Sequence, residues 1–204
     1  MGIKLLSLAA GAIMYAIFMI ALFPAPIAYK WLAPNSIELS GVQGRLWSGG
    51  ATTGFLGDME VKNIHWEFVP LDLFMGRITG KVNMLLGDGF VDTKASATFN
   101  SLTLQELRAT FDLQVLENFI PIGATQGKVF AQIEHLVIEK GWPIKIIGEL
   151  RLMELMVAPF VPSGAALIPI GSFRLAFLDN SKLGGTIEHL NGPLETNGNI
   201  ELRS

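Results

Sequence analysis

Few side chains in this 204-residue chain could do chemistry: three imidazoles, His65, His135 and His189, and Ser48 in the stretch GVQGRLWSGGA at 41–51. Imidazoles act as metal ligands or proton carriers when they converge with one another or with carboxylates. Two of them sit in the same setting, IEHL at 133–136 and 187–190, an echo too short to establish an internal repeat. No two stand at ligand spacing, so a metal centre would have to gather them from three distant segments. Ser48 lies outside any GxSxG frame and has no base beside it. A phosphate loop needs a strand before it, a helix after it and a Lys-Ser/Thr at its end, whereas the sequel here, ATTGFLGDMEV, continues as turns and strands. Carboxylates are scattered along polar strand faces, with no pair of the kind that cleaves glycosides. The absence of cysteine excludes disulfides, thiolate metal sites and cysteine nucleophiles without fixing the compartment. The chain is therefore expected to be no enzyme and to hold no metal or cofactor.

The elements that position these residues begin with an apolar run. Half the residues are hydrophobic and only 16% charged, with a mean hydropathy of +0.43, which predicts contact with lipid. The formal charge of −3 leaves no electrostatic footprint for nucleic acid. Ile3 to Phe23 carries one charge, Lys4, and as a helix would span roughly 31 Å, close to a bilayer's hydrocarbon core. Pro24 and Pro26 are expected to stop that helix, and Tyr29, Lys30 and Trp31 to anchor it at the interface. A cleaved signal peptide is the competing reading. Against it, the run exceeds a usual h-region, its basic part is one residue, and no small-x-small cleavage site follows. Residues 1–31 thus read as a single transmembrane anchor and its interfacial exit, and 32–204 as a periplasmic β-rich domain. Lys4 and the amino terminus favour a cytoplasmic N-terminus in an inner membrane, with Lys30 acting against them. All 18 acidic side chains and all but two of the 15 basic ones lie beyond residue 31, so that part is net acidic and is not expected to cling to anionic headgroups. Tyr15 with Ala9, Ala12 and Ala16 fits either a partner helix or plain lipid.

Beyond residue 37 the period is two. Ile78, Gly80, Val82, Met84 and Leu86 alternate with Arg77, Thr79, Lys81, Asn83 and Leu85. Similar sets run through 91–99, 107–115, 144–152, 173–177 and 194–202. Strand explains them, because a helix would scatter the polar residues around its circumference. Two runs change phase midway, Met59/Val61 to Ile64/Trp66/Phe68 and Val129/Ala131/Ile133 to Leu136/Ile138, as β-bulges would make them. Glycine and Asn/Asp punctuation at hairpin intervals predicts about ten strands, mostly antiparallel, with a short helical turn near 116–120. One face of such a sheet is apolar and must be covered, by closing as a sandwich or open barrel or by curling into a gutter. The apolar stretch 157–171 reads as a connection packed over one open end of the sheet, or as a lid, a membrane-touching lip or a docking surface.

Two motifs carry a resemblance. LSGVQGRLWSGGA is followed by IHWEFVPLDLFMGRITGKV, and together they resemble protein N of the bacterial type II secretion system. In that family a G-x-x-W-x-G stretch precedes a W-x-x-x-P-x-x-L-x-x-G stretch. Gly44, Trp47 and Gly49 match the first, with Arg45 inside it; Trp66, Pro70, Leu73 and Gly76 match the second. GWPIKIIGELRL at 141–152 and LGGTIEHLNGPLETNGNIELRS at the end agree more loosely. Family members usually continue with further strand beyond the point reached at Ser204. The resemblance implies an inner-membrane component of the general secretion pathway, working by contacts with other secretion subunits. In architecture the chain also resembles AsmA-like envelope proteins, whose anchored sheets form apolar gutters, and this implies lipid binding or transfer as the alternative. The glycines are expected to bracket a short strand with positive φ or bulges, and Trp47 to bury its ring on the apolar face beside Trp66. A contact role for Trp47 and Arg45 is the alternative.

Overall fold

A computed structural model describes residues 2–32, 37–56, 59–116, 125–158, 167–178 and 184–201. After two helices, α1 (Gly2–Ala21) and α2 (Ala25–Leu32), the described chain is one antiparallel sheet. Its strands are β1 (Ile37–Ser40), β2 (Gln43–Gly44), β3 (Ser48–Leu56), β4 (Met59–Phe68), β5 (Ile78–Leu86) and β6 (Gly89–Ala97). They continue as β7 (Ser101–Asp112), β8 (Thr125–Glu139), β9 (Trp142–Val157), β10 (Ile168–Phe177), β11 (Gly184–Asn191) and β12 (Gly198–Glu201). From β3 onward each strand pairs with the next in sequence, β1 and the short β2 both pair with β3, and β1 and β12 remain as open edges. The mainly β, antiparallel sheet expected from the alternation is what forms. Of the sandwich, open barrel and gutter that the sequence left open, the described residues make an unclosed, curved sheet.

The described residues form twelve strands where about ten were expected. β3 and β11 were invisible to the period-two test because small residues fill them: β3 reads SGGATTGFL and β11 reads GGTIEHLN. At the other end β12 covers Gly198–Glu201, so 194–197 of the alternation seen over 194–202 lie outside any strand, and 202 lies outside the described residues. A 3₁₀ turn forms at Leu113–Leu116, just before the predicted helical turn; 117–124 lie outside the described residues. Of the stretch 157–171, Val157 ends β9 and Ile168–Gly171 begin β10, while 159–166 also lie outside them.

The register lines up one apolar row across the sheet. Ala51 faces Ile64 on β4, and Met84, Val91, Ala109, Ala131 and Leu150 are successive partners from β5 to β9. Leu175 and Ile187 extend the row to β11. Ala109, Ala131 and Ile133 are buried at its centre, packed by Val91, Leu107, Phe111, Leu136, Ile146 and Leu150. No helix or second sheet lies over this face among the described residues. Val61 and Phe173, nevertheless, are only 1% and 5% exposed, so the sheet itself must curl around them. The bend has a visible cause. Each predicted phase change is a bulge: Asn63, at φ 49, interrupts the β4–β5 register, and an extra residue on β8 slips it against β9 between Ile133 and His135. Further bulges escaped the sequence reading, among them those at Glu106 (φ 52) on β7 and Glu154 (φ 53) on β9. Bulges increase local twist and bend the strand that carries them, while small Ala109 and Ala131 let the walls approach.

The N-terminal helix needs correction. α1 ends at Ala21, two residues before the expected Phe23, and among the described residues no helix is long and apolar enough to cross a membrane. The single spanning helix over 3–23 is therefore not supported by the described residues. Nor do the prolines end helical structure. Pro24 forms a bridge with Arg45, and Pro26 sits in the first turn of α2, where a missing N–H costs nothing. Tyr29, expected at a lipid interface, accepts a hydrogen bond on its hydroxyl from the Leu39 N–H of edge strand β1 (2.8 Å). Ala25 and Ala28 of α2 are buried.

Candidate functional site

The sheet has two rims, one at each end of its strands. The proximal rim is where α1 joins: it holds the start of β3 and the β4–β5, β6–β7, β8–β9 and β10–β11 connections. The first sequence motif builds that joint. β2 pairs with the start of β3, Gly44 opposite Gly49, and the Arg45 N–H closes the turn on the Ser48 carbonyl (3.0 Å). Gly44 has φ 87, and a Cβ there would lie 2.8 Å from the Ser48 oxygen. Gly49 has no left-handed φ; it is glycine because of close approach. A Cβ on it would lie 2.8 Å from the Gln43 and Arg45 carbonyl oxygens and from the Trp66 ring. The expected positive φ is thus found at Gly44 and replaced at Gly49 by lack of room.

Trp47 does not bury its ring against Trp66. It is half-buried, and its indole N–H donates to the Ile20 carbonyl at the C-terminal end of α1 (2.8 Å). The same carbonyl also accepts the Phe23 N–H (3.2 Å), so the indole adds a second bond to a group at the end of the helix. The Leu46 N–H donates to the Phe23 carbonyl (2.8 Å), and Pro24 bridges Arg45. Trp66, opposite Gly49 on β4, donates its indole N–H to the Leu46 carbonyl (3.0 Å), and the Phe68 N–H donates to the Trp47 carbonyl. Gly44, Arg45, Trp47, Gly49 and Trp66 therefore form one hydrogen-bonded joint between helix and sheet.

The second motif forms the next tip on the same rim. Pro70 opens a 3₁₀ turn, Pro70–Met75, and Gly76 ends it in the left-handed region (φ 72) with its N–H on the Leu73 carbonyl (3.0 Å). Asp72 is held below its ordinary carboxyl pKa by the Thr79 hydroxyl and, in second place, by Arg77, whose Nε lies 3.4 Å from it. Leu73 stays partly exposed beside the more exposed Leu71, Phe74 and Met75. Pro70, Leu73 and Gly76 shape this tip and do not join the tryptophan cluster.

The remaining candidates stay apart. His65 lies on β4, His135 on β8 and His189 on β11, where it contacts the Phe173 ring (centroids 5.8 Å apart). Among the described residues no group of three or more His, Asp or Glu could hold a metal ion. On the opposite, polar face, Arg151 pairs with Glu149, and Arg174 spans Glu149 and Glu188 (3.5 and 3.6 Å). Lys94 bonds Glu106 at 2.7 Å and lowers its pKa. Arg151 and Glu149 are neighbours on one face of β9 and the others are cross-strand pairs, all partly exposed, the ordinary dress of a wet sheet face.

Sequence reasoning missed the rim. Past α2, among the described residues, the large apolar side chains more than half exposed are Leu71, Phe74, Met75, Ile78, Phe99, Trp142 and Leu178, and all lie on the proximal rim. Only strand order puts these scattered residues together, so no local signal announces them.

The chain matches no curated protein and no solved structure at a significant level. A family model does match, over residues 35–204, which takes in both tryptophan motifs and the whole sheet. The matched range holds the joint at Trp47 and the tip at Pro70, and the chain belongs to the family of type II secretion system (T2SS) protein N.

Proposed function

We propose that this chain is a non-enzymatic component of type II secretion, held at the bacterial inner membrane by its N-terminal helix and working through contacts with other secretion subunits. The N-terminus lies in the cytoplasm and the sheet in the periplasm. The observation that carries the reading is the joint itself: the family's first motif is spent on fastening a sheet to an apolar helix. That helix exposes Leu8, Ile13, Tyr15, Phe18 and Ile20, on all sides and each by more than half. A helix apolar all round asks for lipid or a protein groove. The open edges β1 and β12 offer backbone groups for strand addition by a partner. Deleting the gene should impair export of a type II substrate, and Trp47→Ala in the full chain should reproduce the defect while the protein stays expressed. Normal secretion in the deletion strain would defeat the proposal. Fractionation with protease access from each side tests the placement.

A second reading has its own support. The apolar row from Ala51 to Ile187 is covered by no second layer among the described residues, and much of it is half-buried. Such a trough fits an acyl chain, as the likeness to AsmA-like proteins implies. Extracting the purified full chain and identifying bound lipid by mass spectrometry would support it; a detergent-exchanged protein without lipid would remove it.

A further inference from the structure

We infer that the proximal rim lies against the lipid surface, so that the sheet stands end-on on the bilayer through its hairpin tips. This rests on the membrane placement proposed above and adds the orientation of the sheet. Three observations meet. First, the exposed apolar side chains of the sheet are sorted by rim. Phe99 in the β6–β7 turn is 100% exposed and Phe74 in the β4–β5 turn 91%, with Trp142 at the β8–β9 turn and Leu178 after β10 following. Among the described residues, the apolar side chains at the distal rim, such as Phe90 and Leu194, are less than half exposed.

Second, the tips have the layout of a surface contact. Neighbouring tips are two strands apart, hence about 10 Å, and the four together reach roughly 30 Å. A small ligand cannot touch them all; an extended, soft plane can. Their chemistry is that of the membrane interface, where Trp and other aromatics settle beside basic residues. Trp142 adjoins the Lys140-Gly141 turn, Phe74 adjoins Arg77, and Trp31 of α2, packed near Phe23 (centroids 6.0 Å), adjoins Lys30.

Third, α1 leaves from this same rim. The bond from Trp47 to Ile20 fixes its last turn there, and its side chains from Ile13 to Leu22 remain exposed. An all-round apolar helix immersed in lipid necessarily brings the rim that holds it to the headgroups. The same geometry keeps the distal rim, with its Gly87–Asp88 turn, farthest from the membrane. Lipid is preferred over a protein partner because helix and tips then need a single apolar phase.

The chain contains no cysteine, which makes site labelling direct. Full-length Phe74→Cys, Phe99→Cys, Ile13→Cys and Asp88→Cys variants, each carrying a polarity-sensitive fluorophore, are reconstituted in phosphatidylethanolamine/phosphatidylglycerol vesicles. Labels at 74 and 99 should shift to the blue and lose several-fold in quenching by aqueous iodide, as the label at 13 does, while that at 88 stays fully quenched. If 13 is shielded and 74 and 99 quench like 88, the rim inference is overturned and the anchor stands. If the label at 13 is also quenched and the protein fails to float with vesicles, the membrane placement itself is lost.

Discussion

The two rims of this sheet are made by the same strands, yet they solve different problems. Among the described residues the distal rim turns at the polar Gly87-Asp88 and keeps Leu113 buried at the start of its 3₁₀ turn. The proximal rim does the reverse, exposing Phe74, Phe99 and Trp142 at its tips. It also carries the joint to α1, where Gly49 lies against Trp66 and an indole bonds the end of the helix. A sheet that only needed solubility would use polar turns at both ends. The contrast teaches that the motif-bearing end is shaped for an environment outside the chain.

Glycine substitutions break this comparison most sharply. Gly49→Ala pushes a methyl group into two backbone oxygens and an indole, with a loss of about 2–3 kcal/mol in urea unfolding. Gly87→Ala at the distal rim meets only Val115 at 3.6 Å and suffers only its left-handed backbone, about 1 kcal/mol. Equal losses at the two sites would erase the distinction. Next in size, Trp47→Phe keeps an aromatic ring but removes the N–H donated to Ile20. It should cost about 1 kcal/mol and speed proteolysis between α1 and α2, measured by limited digestion.

Smaller still is Phe99→Ser, which removes a fully exposed ring. Its stability should change by no more than about 0.5 kcal/mol, so any lost vesicle binding or secretion in that variant reports surface and not folding. The smallest effect is pH-dependent. Asp72 is depressed in the folded state by Thr79 and Arg77, with desolvation opposing. Its contribution is therefore complete above the ordinary carboxyl value of 3.8 and fades as pH falls through the lowered folded value. Amide exchange at 70–77 should quicken only on acidification below that range, and Asp72→Asn should abolish the dependence.

Much of this architecture could be read from residues alone, for reasons that differ by element. β5 and β6 alternate cleanly because each crosses the sheet without a slip, one face wet and one dry. β7 was legible only from Leu107 onward, since the bulge at Glu106 moves its apolar residues from even to odd positions. β3 was hidden for the opposite reason: its glycines look like punctuation, but Gly49 and Gly50 are there so that Trp66 and His65 can lie close. The tryptophan motif announced itself as a pattern. Its partner, the Ile20 carbonyl, did not, because any residue can supply a backbone oxygen. The helix was overread, since hydropathy reports the apolar run and not where the chain turns.

Strand order has a further consequence, one of parity. Since each strand from β3 on pairs with its successor, the sheet can widen or narrow by whole hairpins while every surviving tip keeps its side. Adding or losing one strand would carry all later aromatic turns to the opposite end. Variation in length along this lineage should therefore come in even steps.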